Sequence, residues 1–347
     1  MNFSTFLSNP VPRFARNYQG HGHMLFFQHI PKTAGSSLVT EMRAILNPFC
    51  NVHVPSKNYA DHLKEGDPMA GAIEAFLAEH VRYRYRSASG HLLHSHMKTL
   101  REALPYVSFF TVLRDPVDRV ISDYCYSLTE EYPLREQFMA RFPTIDAYIN
   151  CADYQNTMWN AVAAKDDAVT SDVIVRIFDS YLFIGLFDDI TLHFEFLTAL
   201  FGHPKTLVSH RNATKLSDSN RIEITDDLRD RIAAVNAKDM AFYRVLRHAL
   251  VPRRSEIAAF VTARRAYYNN NSVEQVQDEQ TALAGTIWRH MCGVPVSVGD
   301  EWEREEELAA RQVAIWTIRR MERAGFSLTV PPYRTTRASG VASKGKT

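Results

Sequence analysis

The sequence predicts an α/β fold, a parallel β-sheet flanked by helices with an additional helical C-terminal portion, and three observations carry that reading. Segments near residues 24–29, 87–93, 107–113 and 182–186 are of strand type and suit a parallel sheet covered on both faces. After the first of them, Leu38, Met42, Ile45 and Leu46 repeat at helical spacing. A chain of 347 residues with 46% hydrophobic and 11% aromatic content can bury one large core.

Taken from the amino terminus, residues 1–23 read as a partly ordered arm with no apolar stretch long enough for a signal peptide or a membrane span. The first strand, with Met24, Leu25, Phe26 and Phe27, leads into residues 26–37, FFQHIPKTAGSS. A polar turn at a helix N-terminus offers unpaired backbone N–H groups and the positive end of the helix dipole to an anion. Lys32 adds a full charge, Thr33, Ser36 and Ser37 add hydroxyl donors, and Gly35 allows close backbone approach, so the turn is P-loop-like. It is not the nucleotide-hydrolase loop, in which lysine follows the second glycine; here Lys32 precedes Gly35. The plain alternative is a strand-to-helix turn with a solvated lysine.

The order P-K-T-A-G-[ST]-S resembles the 5′-phosphosulfate loop of sulfotransferases that use 3′-phosphoadenosine 5′-phosphosulfate (PAPS), in the group of heparan sulfate 2-O-sulfotransferase and the chondroitin enzymes. The resemblance implies that Lys32, Thr33, Ala34, Gly35, Ser36 and Ser37 bind the cofactor.

A second turn follows in residues 107–124, VSFFTVLRDPVDRVISDY. The run 107–113 is of strand type, and Asp115-Pro116 opens a helix with an N-cap acid and proline at its first position. Asp118 stands where a capping box places its acid. Arg114 at the strand end and Ser122 two turns into the helix can converge on one phosphate. The alternative is an ordinary cap with an ion pair. The stretch resembles the same family's 3′-phosphate motif, L-R-[DN]-P with a serine eight residues after the arginine, and so adds Arg114 and Ser122 to the cofactor contacts.

Between the two turns, residues 87–96, SASGHLLHSH, hold His91, His94 and His96. Their spacing matches no standard zinc pattern and no cysteine or acidic ligand is near in sequence, so no metal is expected. The family carries a Gly-His pair at this strand end, and the resemblance makes His91 the general base on the acceptor hydroxyl. Ser89 stands where heparan sulfate 2-O-sulfotransferase has a further histidine. His94 and His96 stay open as the base, each with a structural role as its alternative. An imidazole near pKa 6.5 accepts a hydroxyl proton at neutral pH, and Lys32 with the loop amides can stabilise charge on the departing adenosine bisphosphate.

Further segments extend the resemblance. Residues 154–159, YQNTMW, resemble an acceptor-side helix, and 182–188, LFIGLFD, read as a strand and turn with Asp188 as the acid. Residues 190–201, apolar all round and stopped by Gly202, form a buried helix. Residues 209–215, SHRNATK, form a basic loop where the family closes over the nucleotide, with Arg211, Thr214 and Lys215 as candidate PAPS contacts against a solvated loop. Residues 239–243, DMAFY, read as structural. Arg82, Arg84 and Arg86 are placed on an alternating strand, solvated on one face or offering the one conspicuous basic groove.

Organisation follows from these pieces: an arm at 1–23, the P-loop-like α/β domain at 24–250, a helical C-terminal extension at 251–330 and a disordered basic tail at 331–347. The amphipathic helix at 301–323 is read as surface packing, with a cap over the acceptor cleft or a homodimer contact as alternatives. With 40 basic against 39 acidic residues, a broad nucleic-acid surface is excluded. Cys50, Cys125, Cys151 and Cys292 give no disulfide framework, which suits a reducing compartment. Without an anchor of the kind the animal enzymes carry, a soluble, cytoplasmic bacterial enzyme is expected. Together these readings imply sulfuryl transfer from PAPS to an acceptor hydroxyl on a carbohydrate or glycoconjugate. An ATP-type nucleotide kinase and a non-catalytic adenosine-bisphosphate-binding module are the alternatives.

Overall fold

A computed structural model describes residues 1–18, 24–54, 67–164, 166–201, 204–208 and 222–271. The chain divides into one unit of Met1–Leu77 and Tyr85–Gln275, and a second of Ala78–Arg84 and Val276–Thr347, in which only Ala78–Arg84 are described. In chain order the elements begin with α1 (Phe3–Ser8), α2 (Val11–Asn17), β1 (Met24–Gln28), α3 (Gly35–Ile45), β2 (Phe49–Val52), α4 (Pro68–Tyr83), β3 (Ser87–Gly90) and α5 (His94–Ala103). They continue with β4 (Val107–Leu113), α6 (Pro116–Ser127), α7 (Arg135–Arg141), α8 (Ile145–Ile149), α9 (Thr157–Val162), α10 (Ser171–Asp179) and β5 (Phe183–Leu186). The last are α11 (Ile190–Leu200), α12 (Asp226–Val235), α13 (Ala237–Leu250) and α14 (Arg254–Asn271).

The five strands form one parallel sheet in the order β2-β3-β1-β4-β5. From β1 the chain first builds β2 and β3 on one side, then crosses to β4 and β5 on the other. The carboxyl ends of β1, β3 and β4 therefore meet at a topological switch point, where parallel α/β sheets open a crevice. Register aligns them: Gln28 pairs with Gly90, and Phe27 with Phe110. All five residues of β1 are buried, which is why its sequence is a continuous apolar run rather than an alternation. Gln28 is the polar exception at its end. Its amide donates to the carbonyls of Leu92 and Ala161 at 2.8 Å each and accepts from the Tyr181 hydroxyl at 2.5 Å. A buried amide so fully satisfied locks the strand end beneath the crevice.

Three sequence expectations change. Within 1–23, residues 1–18 form two packed helices instead of a partly ordered arm: Phe3, Phe6 and Phe14 are fully buried, and Arg253 donates to the carbonyls of Leu7 and Asn9. Phenylalanines at 3, 6 and 14 gain too much by burial to stay in water. Arg82 lies on α4, and Arg84 has φ 50°, so the arginine alternation is the end of a helix rather than a strand. Strand β3 starts only at Ser87 and ends at Gly90, where Val52 O would lie 2.8 Å from an added Cβ. Strand β2 had no clear signal, since Phe49, Cys50, Asn51 and Val52 are too few to show a period. The run 301–323 and the tail 331–347 lie outside the described residues.

Candidate active site

At the switch point a cavity of about 1320 Å³ opens, lined by the turn after β1, the residues after β3, Arg114 after β4 and the inner face of α6. The turn is built by strain at two unexpected positions. Lys32 and Ala34 have φ of 68° and 69°, in the left-handed region that side-chain-bearing residues rarely adopt. Gly35 begins α3, and its N-cap Ala34 supplies no side-chain cap, so the cavity meets the positive end of the helix dipole. Thr33 is fully buried behind the turn, and its hydroxyl donates to Ile30 O at 2.9 Å, so this predicted ligand donor locks the turn instead. Lys32, Ala34, Gly35, Ser36 and Ser37 line the cavity.

The Lys32 ammonium sits 3.8 Å from the centre of the Tyr126 ring. Burial lowers its pKa, with Arg114 pushing the same way and Asp123 opposing. Arg114 donates to Lys32 O at 3.3 Å and lies over the Phe187 ring at 4.6 Å, so the two cations are tied through the turn's backbone and face one cavity. Ser122 lines that cavity beside Arg114. Asp115 caps α6 by accepting from the amides of Val117 and Asp118 at 3.0 and 3.1 Å. The expected capping-box acid, Asp118, instead pairs with Arg229 at 3.0 Å.

Beneath α6 lies a network that sequence reading missed. Arg119, fully buried, donates to Asp123 at 3.2 Å, and Asp123 accepts from the Tyr148 hydroxyl at 2.9 Å. Asp239, expected to be structural, accepts from the amides of Met158 and Trp159 at 3.2 and 2.7 Å and so caps α9. Asp123 lines the cavity, so the network anchors the acid beside Lys32. The only advance signal was an acid adjoining Ser122.

The three histidines separate. His91 follows β3, is exposed to the cavity and has its pKa lowered by burial against surrounding protein atoms, partly offset by a hydrogen bond to the His29 backbone. His94 opens α5 and is not among the described residues lining the cavity. His96 lines it but is committed twice: Nδ1 accepts from the Leu93 amide at 3.0 Å, and Nε2 donates to Asp67 at 2.5 Å. An imidazole whose Nδ1 accepts carries its proton on Nε2, so His96 is a helix cap with no free basic nitrogen. Ser89 donates to Asn51 at 2.9 Å and turns towards β2. A fourth histidine, His29, enters the site unannounced, with its ring stacked on His91 at 4.2 Å between centroids.

Among the described residues, no three His, Cys, Asp or Glu side chains gather as a metal site requires, and no helix is long and apolar enough to cross a membrane. Arg211, Thr214 and Lys215 lie outside the described residues.

Residues 19–173 match the family model described as the Sulfotransferase family, a span that contains both turns, His91 and α9. No curated protein matches the chain. The matched region supports sulfuryl transfer as the class of reaction.

Proposed function

We propose that this protein moves a sulfuryl group from PAPS to an acceptor hydroxyl on a carbohydrate or glycoconjugate, with His91 as general base. The carrying observation is that Lys32 on one strand-to-helix turn and Arg114 with Ser122 on the other line a single cavity, with His91 at the strand end beside them. Two anion cradles facing one space fit a donor with a phosphosulfate at one end and a 3′-phosphate at the other. PAPS supplies the sulfuryl group and a stable leaving anion. Lys32 and the N-terminus of α3 hold the phosphosulfate and offset charge on the departing bridging oxygen. Arg114 and Ser122 hold the 3′-phosphate and so set the donor's distance from the acceptor. His91 takes the acceptor proton as the new O–S bond forms and the old S–O bond breaks, its electron pair leaving on adenosine 3′,5′-bisphosphate. No step needs a covalent enzyme intermediate. The carbohydrate acceptor rests on the resemblance to the heparan and chondroitin enzymes.

Transfer of labelled sulfate from PAPS to a panel of sugars, with Lys32→Ala and His91→Ala as controls, tests the reading. Calorimetric titration with adenosine 3′,5′-bisphosphate against ATP accompanies it. Tight bisphosphate binding with transfer supports the proposal; preference for ATP, or binding without transfer to any acceptor, overturns it in favour of a kinase or a binding module.

A further inference from the structure

We infer that His29 is a positioning residue, an imidazole wedged between Gly35 of the anion turn and His91, which sets the ring plane of His91 and excludes water from its inner face. The inference rests on His91 acting as the base, and its evidence is geometric. A Cβ added to Gly35 would lie 1.8 Å from His29 Nε2 and 1.9 Å from its Cδ2, so the His29 ring fills the space a side chain at 35 would need. Glycine is required there to seat His29, and not for a left-handed backbone. On its other side the ring stacks on His91, with centroids 4.2 Å apart and planes 29° apart, and Phe27 stacks on it at 5.5 Å. Backbone geometry holds the two imidazoles at this separation, because the His29 amide donates to Gly90 O at 2.9 Å, directly before His91.

A group so placed has a definite electrostatic character. Burial, with His91 and Lys32 nearby, lowers the His29 pKa to about 3, so it stays uncharged at any working pH. Neutral His29 does not repel the imidazolium that His91 becomes on accepting a proton. With its pKa near 3 it does not take up that proton itself. Other titratable groups lining the same cavity include Lys32 on the turn, His53 after β2, His96 on α5, the last paired with Asp67, Arg114 after β4, and Asp118, Asp123, Cys125 and Tyr126 on α6. Ser89 has turned away to Asn51, so the support for His91 comes from β1 instead of its own strand.

Three variants test this: His29→Ala, which removes the ring, His29→Phe, which keeps a flat neutral ring, and His29→Gln. The expected result for His29→Ala is a kcat lowered about tenfold, a fraction of the roughly 100-fold or more that a general base supplies. Its bisphosphate affinity should be unchanged, and the acid limb of its pH profile should move up towards pH 6.5. His29→Phe should recover most of the rate and His29→Gln should not. Carbon-13 NMR of labelled histidine gives a readout independent of turnover: the His91 titration should move up in His29→Ala and stay near wild type in His29→Phe. Transfer by His29→Ala at the wild-type rate, with an unmoved His91 titration, overturns the inference. Loss of transfer in His29→Phe equal to that in His91→Ala, with bisphosphate binding intact, also overturns it by making His29 a proton-transfer group. Were the wild type to transfer no sulfate, the proposed function would fail on its own, and the NMR titrations would still decide whether the two rings are coupled.

Discussion

Lys32, on the turn after β1, holds its ammonium 3.8 Å from the centre of the Tyr126 ring on α6. At that distance a cation–π contact is worth about 0.5–1 kcal/mol and holds the ammonium against the ring.

Removal of that ring should therefore cost preorganisation. In Tyr126→Leu the affinity for adenosine 3′,5′-bisphosphate should fall roughly two- to fivefold, matching the loss of about 0.5–1 kcal/mol, while Tyr126→Phe should retain it. Titration calorimetry decides, and equal affinity in the leucine variant would remove Tyr126 from the binding argument.

Arg114 makes a sharper case because it contributes charge as well as geometry. Arg114→Ala should weaken bisphosphate binding by about 1.5–3 kcal/mol for each charged hydrogen bond lost. Arg114→Lys should recover only part of this, since a point charge does not reproduce a planar fork. The same loss should be absent for adenosine 5′-monophosphate, which lacks the 3′-phosphate; a loss of equal size would show Arg114 acting elsewhere.

The histidines should separate in kinetics as they do in space. His91→Ala should lower kcat by about 100-fold or more and leave bisphosphate binding nearly intact. Because the His91 pKa is lowered from 6.5, the free base persists through neutral pH, and activity should fall only as pH drops below 6.5. His96→Ala should instead lose a helix cap, about 1 kcal/mol of stability, seen as a lower Tm with most of the activity kept. A pH profile with its acid limb above 6.5, or a greater kinetic loss in His96→Ala, would reassign the base.

Stability against acid should report a buried histidine that does not line the cavity. His193, on α11, is buried, accepts from the Leu186 amide at 3.0 Å and has its pKa lowered by desolvation to about 4. Above pH 6.5 it is neutral in both folded and unfolded chains and has no effect on the pH dependence. Between pH 6.5 and about 4 the unfolded chain takes up the proton and the folded chain does not, so stability is lost across that window, by about 3 kcal/mol in all. Thermal denaturation at pH 7.5, 6 and 4.5 should show this fall in the wild type and a shallower one in His193→Gln; parallel slopes would exclude His193 as the source.

Much of the framework was legible in the residues themselves. The apolar run at 24–27, the turn with Lys32 and the spacing of Leu38 and Met42 are local signals for strand, anion turn and helix, and β1 and α3 lie where they indicate. Asp115-Pro116 marked the start of α6 equally well. Legibility failed where a residue's role is set by a partner distant in the chain. Thr33 carries a hydroxyl suited to an anion, yet its turn folds that hydroxyl back on Ile30. His91, His94 and His96 are indistinguishable by type, and only the Leu93 amide and Asp67 commit His96 as a cap. The phenylalanines of the first two helices gave no sign that they would be buried against elements more than a hundred residues away.

The sequence by itself determined the strand–turn–helix units and the charge each turn presents, because hydrophobic period, capping and backbone preference act within a few residues. Only the tertiary structure decided that β1 lies between β3 and β4, and with it that His29 reaches both Gly35 and His91 and that Lys32 meets Tyr126. Those relations arise from packing between segments brought together by the sheet, where shape and burial select contacts that no local pattern encodes.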